Sequence, residues 1–212
     1  MQLKKVKNIT NGLFIERASV RRYDPSVKIS KEEMNNILQD AMTAPSSFNL
    51  QPWRFFVIDS DEGKELIKPY MMFNQQQWET SSAIIAVYGD MESLASAGKI
   101  LSANVENGLM TQEYKEKMLE MMTTYGANYT EERLKNSIYL DSGFVIMQLM
   151  LSAKGYGYDT CPIGGFDRQG LTKALSLDEK RYIPVLLVSI GKAEEGIKPS
   201  VRLSVDEVTE WR

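Results

Sequence analysis

Three stretches of this chain carry side chains in a spacing that could do chemistry. Arg17, Arg21 and Arg22 fall close together near the start, with Ser19 between them. Guanidinium forks pair bidentately with phosphate oxygens, and a nearby hydroxyl adds a donor, so the group has the makings of a phosphate clamp. An isolated cluster of this kind is more often a solvated basic patch. The second stretch, Ala44 to Trp53, sets Ser46, Ser47, Asn49 and Gln51 between Pro45 and Pro52 and closes on an aromatic ring. Prolines stiffen it, while its hydroxyls and amides could recognise a flat heteroaromatic ligand; a rigid turn is the plainer alternative. In the third, Pro162-Ile163-Gly164-Gly165-Phe166-Asp167, the paired glycines either form an ordinary turn or let backbone N–H groups come close to a ligand with no Cβ in the way.

Other chemistries are closed off. The 212 residues include no histidine, so a Ser-His-Asp or Cys-His nucleophile system and any His-ligated metal are excluded. Cys161 is the only cysteine, which rules out an internal disulfide and multi-cysteine metal sites; it reads as a buried, inert thiol. No G-x-G-x-x-G fingerprint and no P-loop occur. An enzyme built from this sequence must therefore rely on carboxylates, Lys, Tyr or a bound cofactor. The net charge of −3 argues against nucleic acid as a partner. The longest apolar run, Phe144 to Leu151, is broken by Gln148 and is too short for a bilayer. The basic first residues lack an apolar h-region, so no secretory signal is expected and a cytoplasmic location is. With 43% apolar and 25% charged residues, the chain is read as one globular domain, 1–212.

The elements that must position these residues follow from pattern. A short helix is expected around Asn11 to Ala18. Ser30-Lys31-Glu32-Glu33 is a capping box, and Met34, Ile37, Leu38 and Ala41 continue it at helical spacing, predicting a helix over 31–43. Trp53 to Ile58 reads as a strand, a short helix opens at Ser60-Asp61-Glu62 and stops near Pro69, and Ala83 to Tyr88 reads as a buried strand. Residues 92–125 are Met-rich and read as helical, a possible cover over a site. Thr130 is the expected N-cap of a long helix to about Lys154 with Gly155 as its left-handed stop. The apolar stretch of that helix belongs at a domain centre or a subunit interface. Asp167 should cap a helix through Leu175, and Tyr182 to Ile190 should be a strand with Pro184 near its start. The tail from Lys192 has no core-forming pattern until its end, as expected of a segment that binds a partner subunit.

Taken together, the head arginines, the Pro-Ser-Ser-x-Asn-x-Gln-Pro-Trp loop, Asn74 ahead of a buried strand, Pro-Ile-Gly-Gly-Phe after a long helix and Arg202 form an ordered pattern over nearly the whole chain. That pattern resembles the FMN-dependent nitroreductase family. The resemblance implies an α+β fold, a central mainly antiparallel sheet flanked by helices, and a homodimer whose C-terminal arm wraps the partner subunit. It implies FMN at the interface, with NADH or NADPH as co-substrate and a small-molecule electron acceptor. Arg17 and Arg202 would grip the phosphate, with Ala18 and Ser19 alongside, and Arg21 would face the pyrimidine edge of the ring. Asn74 and Gln77 would bond that edge, and Pro45, Ser46, Ser47 and Asn49 would reach the flavin from the other subunit. Pro162, Ile163, Gly164 and Gly165 would cover the ring, with a glycine N–H facing N5. Hydride would pass from NAD(P)H through flavin N5 to nitroaromatic, quinone or related electrophiles by a ping-pong mechanism, with no catalytic protein side chain and no metal. The alternatives are a flavin-dependent enone reductase or dehydrogenase on the same fold, or a flavin-binding or redox-sensing protein without turnover. The chain departs from other branches, some of which carry Glu at the position of Gly164, Lys at Gln77, a second basic residue at Ser200 and a larger polar residue at Ala18.

Overall fold

The centre of the molecule is strand β2, Ala83–Asp90, every residue of which is buried. In this computed structural model, which describes Phe14, residues 16–194, Gly196 and residues 200–212, β2 lies in a four-stranded sheet of order β1-β2-β4-β3. The other strands are β1, Trp53–Ile58, β3, Asp159–Ile163, and β4, Tyr182–Gly191, and every neighbouring pair is antiparallel. Side chains alternate across a strand, so a continuous apolar run must be covered on both faces. Ala83, Ile85 and Val87 pack with Met34 and Ile37 of α1, Lys31–Ala41, and with Val145 and Leu149 of α6, Glu131–Gly155. Ile84, Ala86 and Tyr88 face the other way, toward Ile67 of α2, Asp61–Ile67, Trp78 of α3, Gln75–Thr80, and Leu171 of α7, Arg168–Ala174. A smaller cluster of Ala97, Leu101 and Met122 joins α4, Ala97–Glu106, to α5, Gln112–Ala127.

Local signals set most boundaries. Ser30 and Glu33 form both halves of the capping box, and α1 ends two residues earlier than its pattern suggests because Thr43 N–H turns back to the Asp40 carbonyl. Thr130 caps α6, accepting from the Arg133 N–H. Its far end departs from expectation. Gly155 is still helical, and Gly157 takes the left-handed conformation at φ 84. Gly157 N–H then bonds the Lys154 carbonyl and Tyr158 N–H the Ala153 carbonyl, the paired closure of a Schellman motif.

Pro162 to Gly165 is not simply a turn. Asp159–Ile163 is an edge strand, and the turn begins only at Gly164. An edge position tolerates the missing N–H of Pro162. The chain also forms a helix at Gln75–Thr80 that the pattern does not announce. Of the helix expected around Asn11 to Ala18, residues 11–13 and 15 lie outside the described residues; Phe14 and Glu16 are helical, but Arg17 and Ala18 are not, because the chain is already extending there to bridge β3 at Ser19. The last described segment carries a single helical turn, Val205–Val208.

Candidate functional site

The head segment reaches its place by adding to the sheet. Ser19 bridges Thr160 in parallel along the outer edge of β3, and Val20 N–H donates to the Thr160 carbonyl at 3.0 Å. Tyr23, fully buried, locks the segment: its N–H donates to Thr80 Oγ1 at 3.1 Å and its hydroxyl reaches the Ser189 carbonyl at 3.2 Å. This anchorage sends the three arginines to different fates. Arg22 pairs with Glu194. Arg17 and Arg21 have no carboxylate partner among the described residues and lie near enough to Cys161 for their charge to act on its thiol. Burial pushes that thiol up, while the Gln77 amide, Arg21 and Arg17 pull it back. A buried thiol held neutral is inert toward electrophiles, as its sequence context suggests.

Asn74 is the N-cap residue of α3, yet its side chain makes no capping bond. The amide instead donates to the Met71 carbonyl at 2.9 Å and to the Gly165 carbonyl at 2.7 Å. Gln77, buried, donates to Asn74 Oδ1 at 3.3 Å. Arg168, a residue the sequence does not single out, lies 4.7 Å over the Phe166 ring and donates to the Gly164 carbonyl at 3.4 Å. Both glycine carbonyls are therefore held, whereas neither the Gly164 nor the Gly165 N–H donates to a protein acceptor among the described residues. Nothing inside the chain demands glycine here. Neither residue has a positive φ, a Cβ on Gly165 would meet nothing within 4 Å, and one on Gly164 would only touch Leu186 Cδ1 at 3.9 Å. Arg17, Ala18, Ser19, Arg21, Asn74, Gln77, Pro162, Ile163, Gly164 and Gly165 thus gather at one edge of the sheet. They present unpaired cations, an amide and two free N–H groups.

The Pro45 loop lies elsewhere. It enters β1, the opposite edge of the sheet, so four strand spacings, about 19 Å, separate it from the head segment on the far side of β3. Phe48, Asn49 and Gln51 all take positive φ values of 53, 55 and 48, which costs non-glycine residues strain that surrounding contacts must hold. Ser47 supplies the anchor. Its N–H donates to both carboxylate oxygens of Asp141 at 3.1 Å, and its hydroxyl donates to Oδ1 at 3.2 Å. Ser46 Oγ accepts from the Gln51 N–H at 3.0 Å, and the Gln51 amide is spent on Asn49 within the loop. Phe48 packs edge-on against Tyr125 of α5, ring centres 6.0 Å apart. Asp141 is absent from the sequence-based candidates. Its one signal is an acid placed just ahead of the apolar stretch of α6 that begins at Phe144. Arg202 lies in the exposed tail, its guanidinium bonded only to Ser200 and Val201 among the described residues.

These residues fit a phosphorylated, electron-poor aromatic ligand. The two unpaired guanidinium groups suit phosphate or ring-borne negative charge, and the free N–H pair suits a ring nitrogen or carbonyl acceptor.

Residues 15–192 match the model of the Nitroreductase family. YdgI of Bacillus subtilis strain 168, whose name assigns it provisionally to the NAD(P)H nitroreductases, is 50% identical over 196 residues, spanning 92% of this chain and 94% of YdgI. An enzyme of Lactiplantibacillus plantarum named for enone reduction in conjugated linoleic acid (CLA) biosynthesis is 37% identical, with 90% of each chain covered. Among solved structures, a nitroreductase-type protein of Exiguobacterium sibiricum in complex with FMN superposes with a TM-score of 0.95 at 46% identity, covering 99% of this chain and 100% of that one.

Proposed function

The chain belongs to the Nitroreductase family, and from that premise we propose that it is an FMN-dependent NAD(P)H oxidoreductase acting as a homodimer. The observation that carries the reading is the Gly164–Gly165 turn, whose carbonyls are fixed by Asn74 and Arg168 while its two N–H groups remain unspent beside Arg17, Arg21 and Gln77. Bound there, FMN would supply hydride acceptance from NADH or NADPH and hydride donation to a nitroaromatic, a quinone or a related electrophile. The protein's own part is electrostatic. Arg21 and Gln77 would hold the pyrimidine edge, where Arg21 counters negative charge without the second cation that other branches place at Gln77. Asn74, by fixing the Gly165 carbonyl, orients the turn's N–H groups toward the ring. Arg17, assisted by Ser19 and joined by Arg202, would hold the phosphate.

Three features support a two-subunit site. The Pro45, Ser46, Ser47 and Asn49 loop cannot serve the basic cluster of its own chain across the width of the sheet, so it is free to serve a partner's. The tail leaves Val201, Leu203, Val208 and Trp211 exposed, and α6 leaves Leu140, Phe144 and Met147 uncovered. Such patches mark association surfaces. The outer edge of β1 has no strand beside it among the described residues, and a groove of about 850 Å³ runs along it between α1 and α4, with room for an extended arm.

A second reading, reduction of an activated carbon–carbon double bond, is favoured by the relative named as an enone reductase. The decisive experiment is anaerobic. The purified protein should be yellow and should bleach on addition of NADH or NADPH. Recovery of colour with a nitroaromatic, a quinone or an enone then ranks the acceptors, and a yellow protein that neither cofactor bleaches refutes the enzymatic reading.

A further inference from the structure

A cavity of about 300 Å³ lies behind the strained loop, between α5 and α6. Leu50, Leu94, Met122, Leu134 and Ile138 form much of its apolar wall, and Ser47, Ser137 and Asp141 form a polar end. Its volume is at the low end of the range of small-molecule sites, about 300–1,000 Å³, enough for one or two rings.

The polar end is incomplete. Asp141 is 3% exposed, and its carboxylate accepts only from the N–H and hydroxyl of Ser47, with no cation partner among the described residues. An ionised carboxylate has acceptor capacity beyond those two donors, and burying it underused is costly. Arg133, the nearby cation, is committed to the Tyr125 hydroxyl at 3.0 Å and to the faces of Tyr125 and Tyr129. The cavity therefore lacks one donor, borne on something apolar. The uncompensated Asp141 carboxylate disfavours an anionic ligand, and Glu131, also on the wall, is already paired with Lys135.

We propose that this cavity is a second ligand site, distinct from the flavin cluster, and that it takes a neutral phenol or hydroquinone whose ring lies among the apolar side chains and whose hydroxyl donates to Asp141. The ligand would share the carboxylate that pins Ser47, and so would couple the cavity to the Ser46–Gln51 loop. That this loop touches a partner's flavin rests on the proposed function; the cavity itself is built within one chain.

The test uses the protein as isolated, without nicotinamide, titrated calorimetrically with 2-naphthol and with 2-methylnaphthalene, a near-isostere lacking the hydroxyl. One site per chain is expected for 2-naphthol, about tenfold tighter than the isostere, the scale of one hydrogen bond to a charged group. Asp141→Asn should erase that preference, and Leu134→Trp, which fills the apolar end, should abolish binding of both while flavin bleaching by NAD(P)H persists. Equal affinity of the two probes, no saturable binding, or 2-naphthol binding that survives Leu134→Trp would overturn the proposal. The probe comparison needs no variant, so a Leu134→Trp protein that fails to fold does not remove the test. Naphthol binding without bleaching would refute the oxidoreductase reading and leave the cavity standing, and bleaching without naphthol binding would do the reverse.

Discussion

Replacing Gly165 by alanine separates a glycine required by a ligand from one required by the fold. A Cβ at Gly165 meets no atom within 4 Å, and the backbone is not in the left-handed region. The folded chain should accept the methyl, and the reduced entropy of the unfolded state should stabilise it by about 0.4–1 kcal/mol. At roughly 2–4 °C per kcal/mol for a protein of this size, Tm should stay level or rise by about 1–4 °C. The ligand side runs the opposite way. If the Gly165 N–H approaches the flavin, the methyl holds the ring off and weakens that hydrogen bond, a loss of about 1 kcal/mol or roughly fivefold in Kd. Gly164→Ala should behave similarly, its Cβ only touching Leu186 Cδ1 at 3.9 Å. Gly89→Ala is the control. There the Cβ would fall 2.2 Å from Ile138 Cγ2 and 3.0 Å from Ile183 Cγ1, both on buried side chains. Overpacking of that kind costs about 1–3 kcal/mol and should lower Tm by several degrees. Apo-protein titrated with FMN, followed by fluorescence quenching, gives Kd; differential scanning calorimetry gives Tm. Unchanged FMN affinity in both Gly164→Ala and Gly165→Ala, with Tm intact, would refute the assignment of the turn to the flavin.

Asn74→Ala removes the amide's hydrogen bonds to the Met71 and Gly165 carbonyls, so Tm should fall by a few degrees while FMN retention weakens severalfold; a fall in Tm with FMN retention unchanged would make Asn74 a structural residue only. Arg202→Ala would remove the proposed phosphate contact and should raise the FMN Kd about tenfold or more; equilibrium dialysis showing unchanged affinity would remove Arg202 from the site. If both subunits build each site, dilution through the dimer dissociation range should release flavin, and sedimentation showing a monomer that holds FMN equally well would contradict it. Burial holds the Asp141 carboxyl above the usual carboxylate range. The folded state therefore binds its proton more tightly than the unfolded chain does, and stability from this group falls as pH rises from the ordinary aspartate value through the raised one. Asp141→Asn removes that slope, so calorimetric Tm of the variant relative to the parent should climb across that acid-side window; parallel profiles would contradict it.

Much of the fold was legible because its signals are local. The Ser30 capping box, the Thr130 and Asp167 caps and the apolar run of Ala83 to Tyr88 depend on neighbours within a few residues, and each sets an element where expected. Strand β3 was not legible. Five residues containing a proline and followed by two glycines look like a turn, and what makes them a strand is hydrogen bonding to β4 on one side and the head segment on the other. Helix Gln75–Thr80 was hidden because its N-cap residue spends its amide on Gly165, a residue distant in sequence. The division among the arginines was legible only in part. The spacing marks the cluster, while Glu194, distant in sequence, decides that Arg22 is neutralised and Arg17 and Arg21 are not.

The sequence by itself determined the chemical repertoire. Without histidine and with one cysteine, the side chains offer cations, amides and backbone donors but no metal-ligand or nucleophile set of the common kinds. It also determined the order of the motifs, and hence the family. The tertiary structure alone decided which motifs share a site. The head, Asn74, Gln77 and the glycine turn meet at the β3 edge, whereas the Pro45 loop is carried to the β1 edge and pinned there by Asp141. The reason is that strand order is set by long-range pairing and by burial on both faces of the sheet, and neither is written in the spacing of residues along the chain.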